Sequence, residues 1–388
     1  MISASAFYIH QKTVVISETA QDITPPQITI SSSNVIESKL NEIQVQVATS
    51  SPKLATNQST TTPKTDNLTT DKNKKMTITP KTEPPKKITE TVPEPIAAAI
   101  VTTPKPTPPP PLRPLSWGIY TGSTPQEIND FEERVSTNPD YLAYFVHWGN
   151  GGGKLPAFLN EYAYQKNRTL VLFWEASDYL IGGTEQPDFS YHKILQGYWD
   201  EYFEDFAEQL ADYEGPVILI PFSELNGDWT PWSGTKNGNS PEQAVAAYRY
   251  VHSYFADLPN VKMGWAVNSN SVPDTPNNQI ERYYPGDDYV DIVGVDGFNM
   301  NWPWLSFSEI FTSPLQTLSQ YNKPVFIFSF GSAEGPEKAN WLKEGLYTVL
   351  PNYPLVEAWI YFNQNKERNW LLWSDDGTFK VFTDYIEK

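Results

Sequence analysis

The sequence predicts an α/β chain whose residues 114–388 form a (β/α)8 TIM barrel, preceded by a disordered Pro/Thr/Lys-rich tail over residues 1–113. Three observations carry this. Of the 13 Trp, 22 Tyr and 19 Phe, only Phe7 and Tyr8 precede Arg113, so only the later segment has the apolar bulk for a core. That segment contains eight apolar or alternating runs bounded by turn residues, most of them followed by a helical pattern. Strand and helix alternating over this length is the arithmetic of a single barrel of about 250 residues.

The strand runs fall at 117–120, 141–148, 169–176, 217–224, 261–268, 290–298, 325–331 and 356–363. Between them, amphipathic patterns at 125–135, 156–166, 198–213, 241–256, 307–321 and 339–350 predict helices. The unit between the fifth and sixth strands is the weakest, because 276–283 leaves room only for a short helix. In such a barrel the chemistry sits at the C-terminal strand ends.

Residues 18–113 are dominated by Thr, Ser, Pro and Lys and end in PKPTPPPP at 104–111. Too little apolar surface is present there to offset chain entropy, and the prolines favour an extended spacer. Alternation at 28–47 is compatible with a small β element, although a disordered tract explains it as well. The tail carries a net charge of +3, which leaves −21 of the chain's −18 on residues 114–388. A domain this acidic lacks the Lys and Arg clusters that nucleic acids require.

The absence of Cys excludes disulfides and thiolate sites, and the four His are scattered without ligand spacing, so no metal and no cofactor is expected. No apolar run approaches a membrane span. The start of the chain, 1–15, makes a poor signal peptide. The sequons at Asn57, Asn67 and Asn167 carry weight only in a glycosylating host. GNGGGK at 149–154 is one residue short of a phosphate loop and reads as a strand–helix loop, while Asp375, Asp376 and Gly377 read as a turn.

The predicted strand ends are aromatic and polar. Trp174 and Glu175 close the third, and Ser223, Glu224, Asn226, Asp228, Trp229 and Trp232 follow the fourth. Asp296, Phe298 and Asn299 close the sixth, with Trp302 and Trp304 beyond, and Tyr361 and Asn363 close the eighth. Flat aromatic faces among carboxylates and amides suit a polyhydroxylated ring, which offers an apolar face and a rim of hydroxyls. Packing in the core is the competing explanation for any one Trp.

These ends carry a specific resemblance. GIYTG (118–122), ELNGDWTPW (224–232), YPGDDYVDIVGVDGFN (284–299), SFSEIF (306–311), KPVFIFSFGS (323–332) and YFN (361–363) occur in the order found in glycoside hydrolase family 26. The chain resembles that family's retaining endo-β-1,4-mannanases from Trp117 to its C-terminus. The resemblance implies an acid/base at Glu224 and a nucleophile at the position of Ser329, where relatives carry Glu. Retaining hydrolysis needs both carboxyls, about 5–5.5 Å apart. A serine without a neighbouring base is a weak nucleophile. The family's His before the acid/base is Ser223 here, its Arg four positions before is Ile220, and its Tyr beside the nucleophile is Phe298.

The expectation is therefore a catalytically degenerate domain at the cell surface or outside the cell. It binds a β-linked polysaccharide, β-mannan by resemblance, and its tail is of the kind that tethers a domain to a cell surface, the cell wall among the candidates, or to a second module. Trp174, Trp229, Trp232, Trp302 and Tyr361 would stack on sugars, with Glu224, Asn226 and Asn363 hydrogen-bonding hydroxyls. Without a carboxylate partner Glu224 is expected to be ionised at neutral pH unless burial dominates. One alternative is an active hydrolase that recruits Glu175, Asp228, Asp296 or Glu334, since inverting chemistry tolerates carboxyls about 6.5–9.5 Å apart. A structural or adhesive surface domain with a vestigial site is another.

Overall fold

The computed structural model describes residues 115–149 and 153–388. The tail expected over 1–113, and residues 150–152 of the glycine-rich loop at 149–154, lie outside the described residues. Eight parallel strands close into a barrel in sequence order. They are β1 (Ser116–Tyr120), β2 (Tyr141–His147), β3 (Thr169–Glu175), β4 (Val217–Pro221), β5 (Val261–Asn268), β6 (Ile292–Asn299), β7 (Val325–Ser332) and β8 (Val356–Phe362). The α-helices are α1 (Pro125–Glu132), α2 (Leu159–Tyr162), α3 (Tyr191–Leu195), α4 (Asp200–Asp212), α5 (Pro241–Phe255), α6 (Phe307–Leu318), α7 (Lys338–Glu344) and α8 (Asp376–Ile386). Among the described residues no helix is long and apolar enough to cross a membrane.

Two expected helices are shorter than the periodicity implied. The pattern at 156–166 becomes α2 followed by one 3-10 turn, and the weak unit between β5 and β6 contains only 3-10 turns. Two helices had no counterpart in the predicted set. The first, α3, is started by the Ser190 hydroxyl, which accepts from the Lys193 amide. The second, α8, is started by Asp375, whose carboxylate accepts from the Thr378 amide at 2.8 Å. The supposed Asp–Asp–Gly turn is thus a helix N-cap and first turn.

Alternation along each strand divides the core in two. Val171, Phe173, Ile218, Ile220, Phe326, Phe328 and Ile360 fill the barrel interior. Leu170, Leu172, Trp174, Leu219, Ile327, Phe330, Trp359 and Tyr361 pack outward with the helices. The regular alternation breaks once in β7, where the pairing with β6 shifts after Val295 so that Asp296 meets Ser329 and Phe328 is the extra residue. The β8 pairing shifts over the same stretch. This bulge reconciles Ile327 and Phe330, three residues apart, both facing the helices. It leaves Phe328 and Ser329 consecutive on the barrel side. Gly294 and Gly264 make room for the Phe328 ring: a Cβ on Gly294 would lie 2.2 Å from it, and one on Gly264 3.1 Å.

Candidate active site

The exit from β4 is built from two residues that normally avoid left-handed backbone. Phe222 has φ 58° and Glu224 φ 56°, so β4 ends at Pro221 and not at Glu224. Each such residue costs about 1–3 kcal/mol and persists only where its surroundings over-determine it. Here they do. Phe222 is fully buried against Trp148 and Tyr191, with ring centroids 5.5 and 5.2 Å away. The Trp232 indole donates to the Ser223 carbonyl at 2.7 Å, and the Glu224 amide donates to the Ala266 carbonyl at 3.1 Å. The Glu224 carboxylate accepts from the Trp229 indole at 2.7 Å. Trp229 lies over Gly227, where a Cβ would come within 2.6 Å of the ring.

Burial pushes the Glu224 carboxyl up to about 7; the Trp229 hydrogen bond opposes the rise, and the charges of Glu175 and Glu367 add to it. Burial dominates, the one condition under which an ionised Glu224 was not expected, and a value of about 7 leaves the carboxyl partly protonated at neutral pH. Glu224 nonetheless keeps some accessible surface, so its proton can be exchanged with a ligand. Asp296, at the inward-facing end of β6, is held well above the usual carboxylate range by burial first and by the Glu224 charge second, with the Ser329 amide opposing. One Asp296 oxygen has no hydrogen-bond partner among the described residues. Burial and the Glu224 charge thus both favour the protonated form of Asp296.

Ser329 is 7% exposed and pairs with Asp296 across β6 and β7. His147, the histidine at the mouth, is engaged elsewhere: its Nδ1 lies 3.0 Å from the Glu175 carboxylate and 3.2 Å from the Ser177 hydroxyl. Burial would lower the His147 pKa, but the Glu175 charge and hydrogen bond outweigh it and raise it. Lys366 sits over Tyr120 and Phe362, 5.5 and 5.3 Å from their centroids. His147, Lys366 and Glu367 were absent from the predicted site. The alternation of β2 carries a signal for His147, while the loop after β8 gives no pattern that places the other two.

The remaining candidates separate by strand face. Trp174 is fully buried on the outer face of β3, stacked on Phe206 with centroids 4.9 Å apart, and its indole donates to the Tyr202 hydroxyl. Tyr361 is likewise buried outward and donates to the Trp370 carbonyl at 2.8 Å. Neither offers a face to a sugar. Trp232 is buried under the β4 exit. Asn226 is a buried strut, donating to the Asn268 carbonyl at 3.0 Å and accepting from its amide at 2.7 Å. Buried Asn363 accepts from the Leu372 amide at 2.8 Å. Ser223 is buried, Phe298 packs edge-on to Phe362 at 5.6 Å, Trp229 is half-buried, and Trp302 is 88% exposed. Of the substitute carboxylates, Asp228 pairs with Lys236 at 3.3 Å and Glu334 accepts from Asn369 at 2.6 Å. Only Glu175 and Asp296 are charge partners of Glu224.

A closed parallel barrel with carboxyl groups gathered around its C-terminal mouth is the layout of a barrel glycosidase. Residues 146–370 match the model of glycosyl hydrolase family 26, and the chain belongs to that family. It is 28% identical over 283 residues to endoglucanase H of Acetivibrio thermocellus, a match covering 70% of this chain and 30% of that protein. It is 27% identical over 261 residues to a mannan endo-1,4-β-mannosidase of Bacillus subtilis, covering 64% of this chain and 62% of that one. The matched segment is thus less than two thirds of either relative. A family 26 β-mannanase structure from Bacteroides ovatus shares the fold, with a TM-score of 0.55 at 18% identity, covering 70% of this chain and 88% of that one.

Proposed function

We propose that the barrel mouth binds a β-linked polysaccharide and that retaining hydrolysis has been lost from it. The observation that carries this reading is the pairing of Ser329 with Asp296. The resemblance assigns the nucleophile to Ser329, and burial together with the Glu224 charge favours the protonated form of the carboxyl next to it. A carboxyl biased toward its protonated form offers less carboxylate to act as nucleophile or base, which leaves the hydroxyl poorly activated. Glu224 retains the titration of a general acid, and half-buried Trp229 and exposed Trp302 remain to meet a glycan. β-Mannan is the favoured ligand through the mannosidase relative, and the endoglucanase relative makes β-glucan the comparison. The domain would act at the cell surface or outside the cell, with residues 1–113 as its tether. Calorimetric titration with manno- and cello-hexaose, alongside reducing-sugar release from mannan and β-glucan, tests it. Binding without product supports the reading, and turnover at ordinary enzyme rates overturns it.

A second reading, an active inverting hydrolase, has one observation in its favour. Asp296 lies beside Ser329 and feels the charge of Glu224, so a water in the space left by serine would have a carboxyl next to it. If this reading holds, Asp296→Asn abolishes whatever product release the parent shows.

A further inference from the structure

Beyond the mouth, three loops meet to form a cavity of about 440 Å³ that, of the candidate site residues, only Trp302 and Glu334 line. It lies where the chain leaves β6, β7 and β8, and its lining includes Asn301, Trp302, Glu334, Arg368 and Asn369. Its size falls within the range of small-ligand pockets, about 300–1,000 Å³.

The loops are tied to one another. The Asn301 side chain donates to the Glu334 carbonyl at 2.7 Å, and Asn369 donates to the Glu334 carboxylate at 2.6 Å. The Arg368 Nε donates to the Met300 carbonyl at 3.2 Å, and its Nη1 to the Glu367 carbonyl at 2.9 Å. Behind them buried Lys338 donates to the Leu371 carbonyl at 2.8 Å and the Ser374 hydroxyl at 2.9 Å, pinning the β8 loop to the start of α7. These bonds occupy one Glu334 oxygen and two Arg368 nitrogens. A carboxylate acceptor and a guanidinium donor are left over, beside an indole that is 88% exposed.

We propose that this cavity is a subsite for one neutral pyranose ring of the polysaccharide, at the β6–β8 end of the cleft. The inference rests on the binding reading above. A sugar hydroxyl both donates and accepts, so adjacent hydroxyls satisfy Glu334 and Arg368 together while the C–H face of the ring covers Trp302. An anionic ligand would pair with Arg368 but meet the Glu334 carboxylate, and a cation would meet the reverse conflict. A neutral polyol suits both groups.

Calorimetry with mannobiose and mannohexaose, and with the matching cello-oligosaccharides, tests this on the full chain. The parent should bind the hexaose more tightly than the biose. Trp302→Ala should weaken hexaose binding at least tenfold, and Glu334→Gln and Arg368→Gln several-fold each, with biose binding unchanged. Trp302 is exposed, so its loss should leave the melting temperature in place, and a melt checks that. If the parent binds hexaose and none of the three variants weakens it, the subsite is wrong and the binding reading stands. If the parent binds no oligosaccharide of either series, both are wrong.

Discussion

Asp296 and Ser329 are partners across β6 and β7 because β7 carries one residue more than its neighbour needs at that point. The pairing puts a buried carboxyl beside a hydroxyl, at the place where the resemblance implies a carboxylate. Replacing Ser329 with Glu returns a carboxylate to that position. Reducing-sugar release from mannan or β-glucan should rise at least about tenfold above the parent, while Ser223, Ile220 and Phe298 keep it below an intact site. A rate equal to the parent's would show that the loss lies elsewhere.

Glu224 makes stability depend on pH in a defined direction. Its folded pKa, about 7, is above the ordinary 4.5, so the folded chain holds the proton more tightly than the unfolded chain. That stabilisation is fully present below about pH 4.5 and is lost as pH rises through 7. Glu224→Gln, which is neutral throughout, should therefore gain on the parent between pH 5 and 8, by on the order of 3 kcal/mol. Urea melts at the two pH values measure it.

Trp229 acts on the same group. Its indole N–H favours the charged carboxylate, so Trp229→Phe should raise the Glu224 pKa above about 7. A carboxyl-carbon NMR titration reads the shift, and an unchanged or lower value would contradict the hydrogen bond's role.

Trp174→Ala should cost about 3–5 kcal/mol in stability through the cavity it leaves, with oligosaccharide affinity unchanged at temperatures where the variant is folded. Loss of affinity with stability intact would return Trp174 to the ligand.

Gly294→Ala drives a methyl into the Phe328 ring and to 2.7 Å from the Phe326 carbonyl. Overpacking of this kind costs about 1–3 kcal/mol or more, visible as a lower melting temperature.

The barrel was legible because strand runs and amphipathic helices alternate clearly enough to count. The faces of Trp174 and Tyr361 were legible too, since Phe173 and Glu175 flank one, Ile360 and Phe362 flank the other, and adjacent residues on a strand point opposite ways. Density of aromatics at the strand ends drew attention from that parity. The bulge was hidden for a different reason: VFIFSFGS is buried along its whole length, so no exposed position marks the slip. The left-handed Phe222 had no signal, because glycine or asparagine usually fills such positions. The Glu224 pKa depends on desolvation by residues distant in sequence, which a count of neighbouring charges omits.

The Phe328 ring gives the mouth a floor. Below it the interior is filled by Phe326, Ile218 and Ile360, all essentially without accessible surface. Asp296 and Ser329 therefore rest on a packed apolar floor that closes them off from below, with only 2% and 7% of their surface accessible. Exchange of the Asp296 proton with solvent is accordingly confined to that small accessible surface.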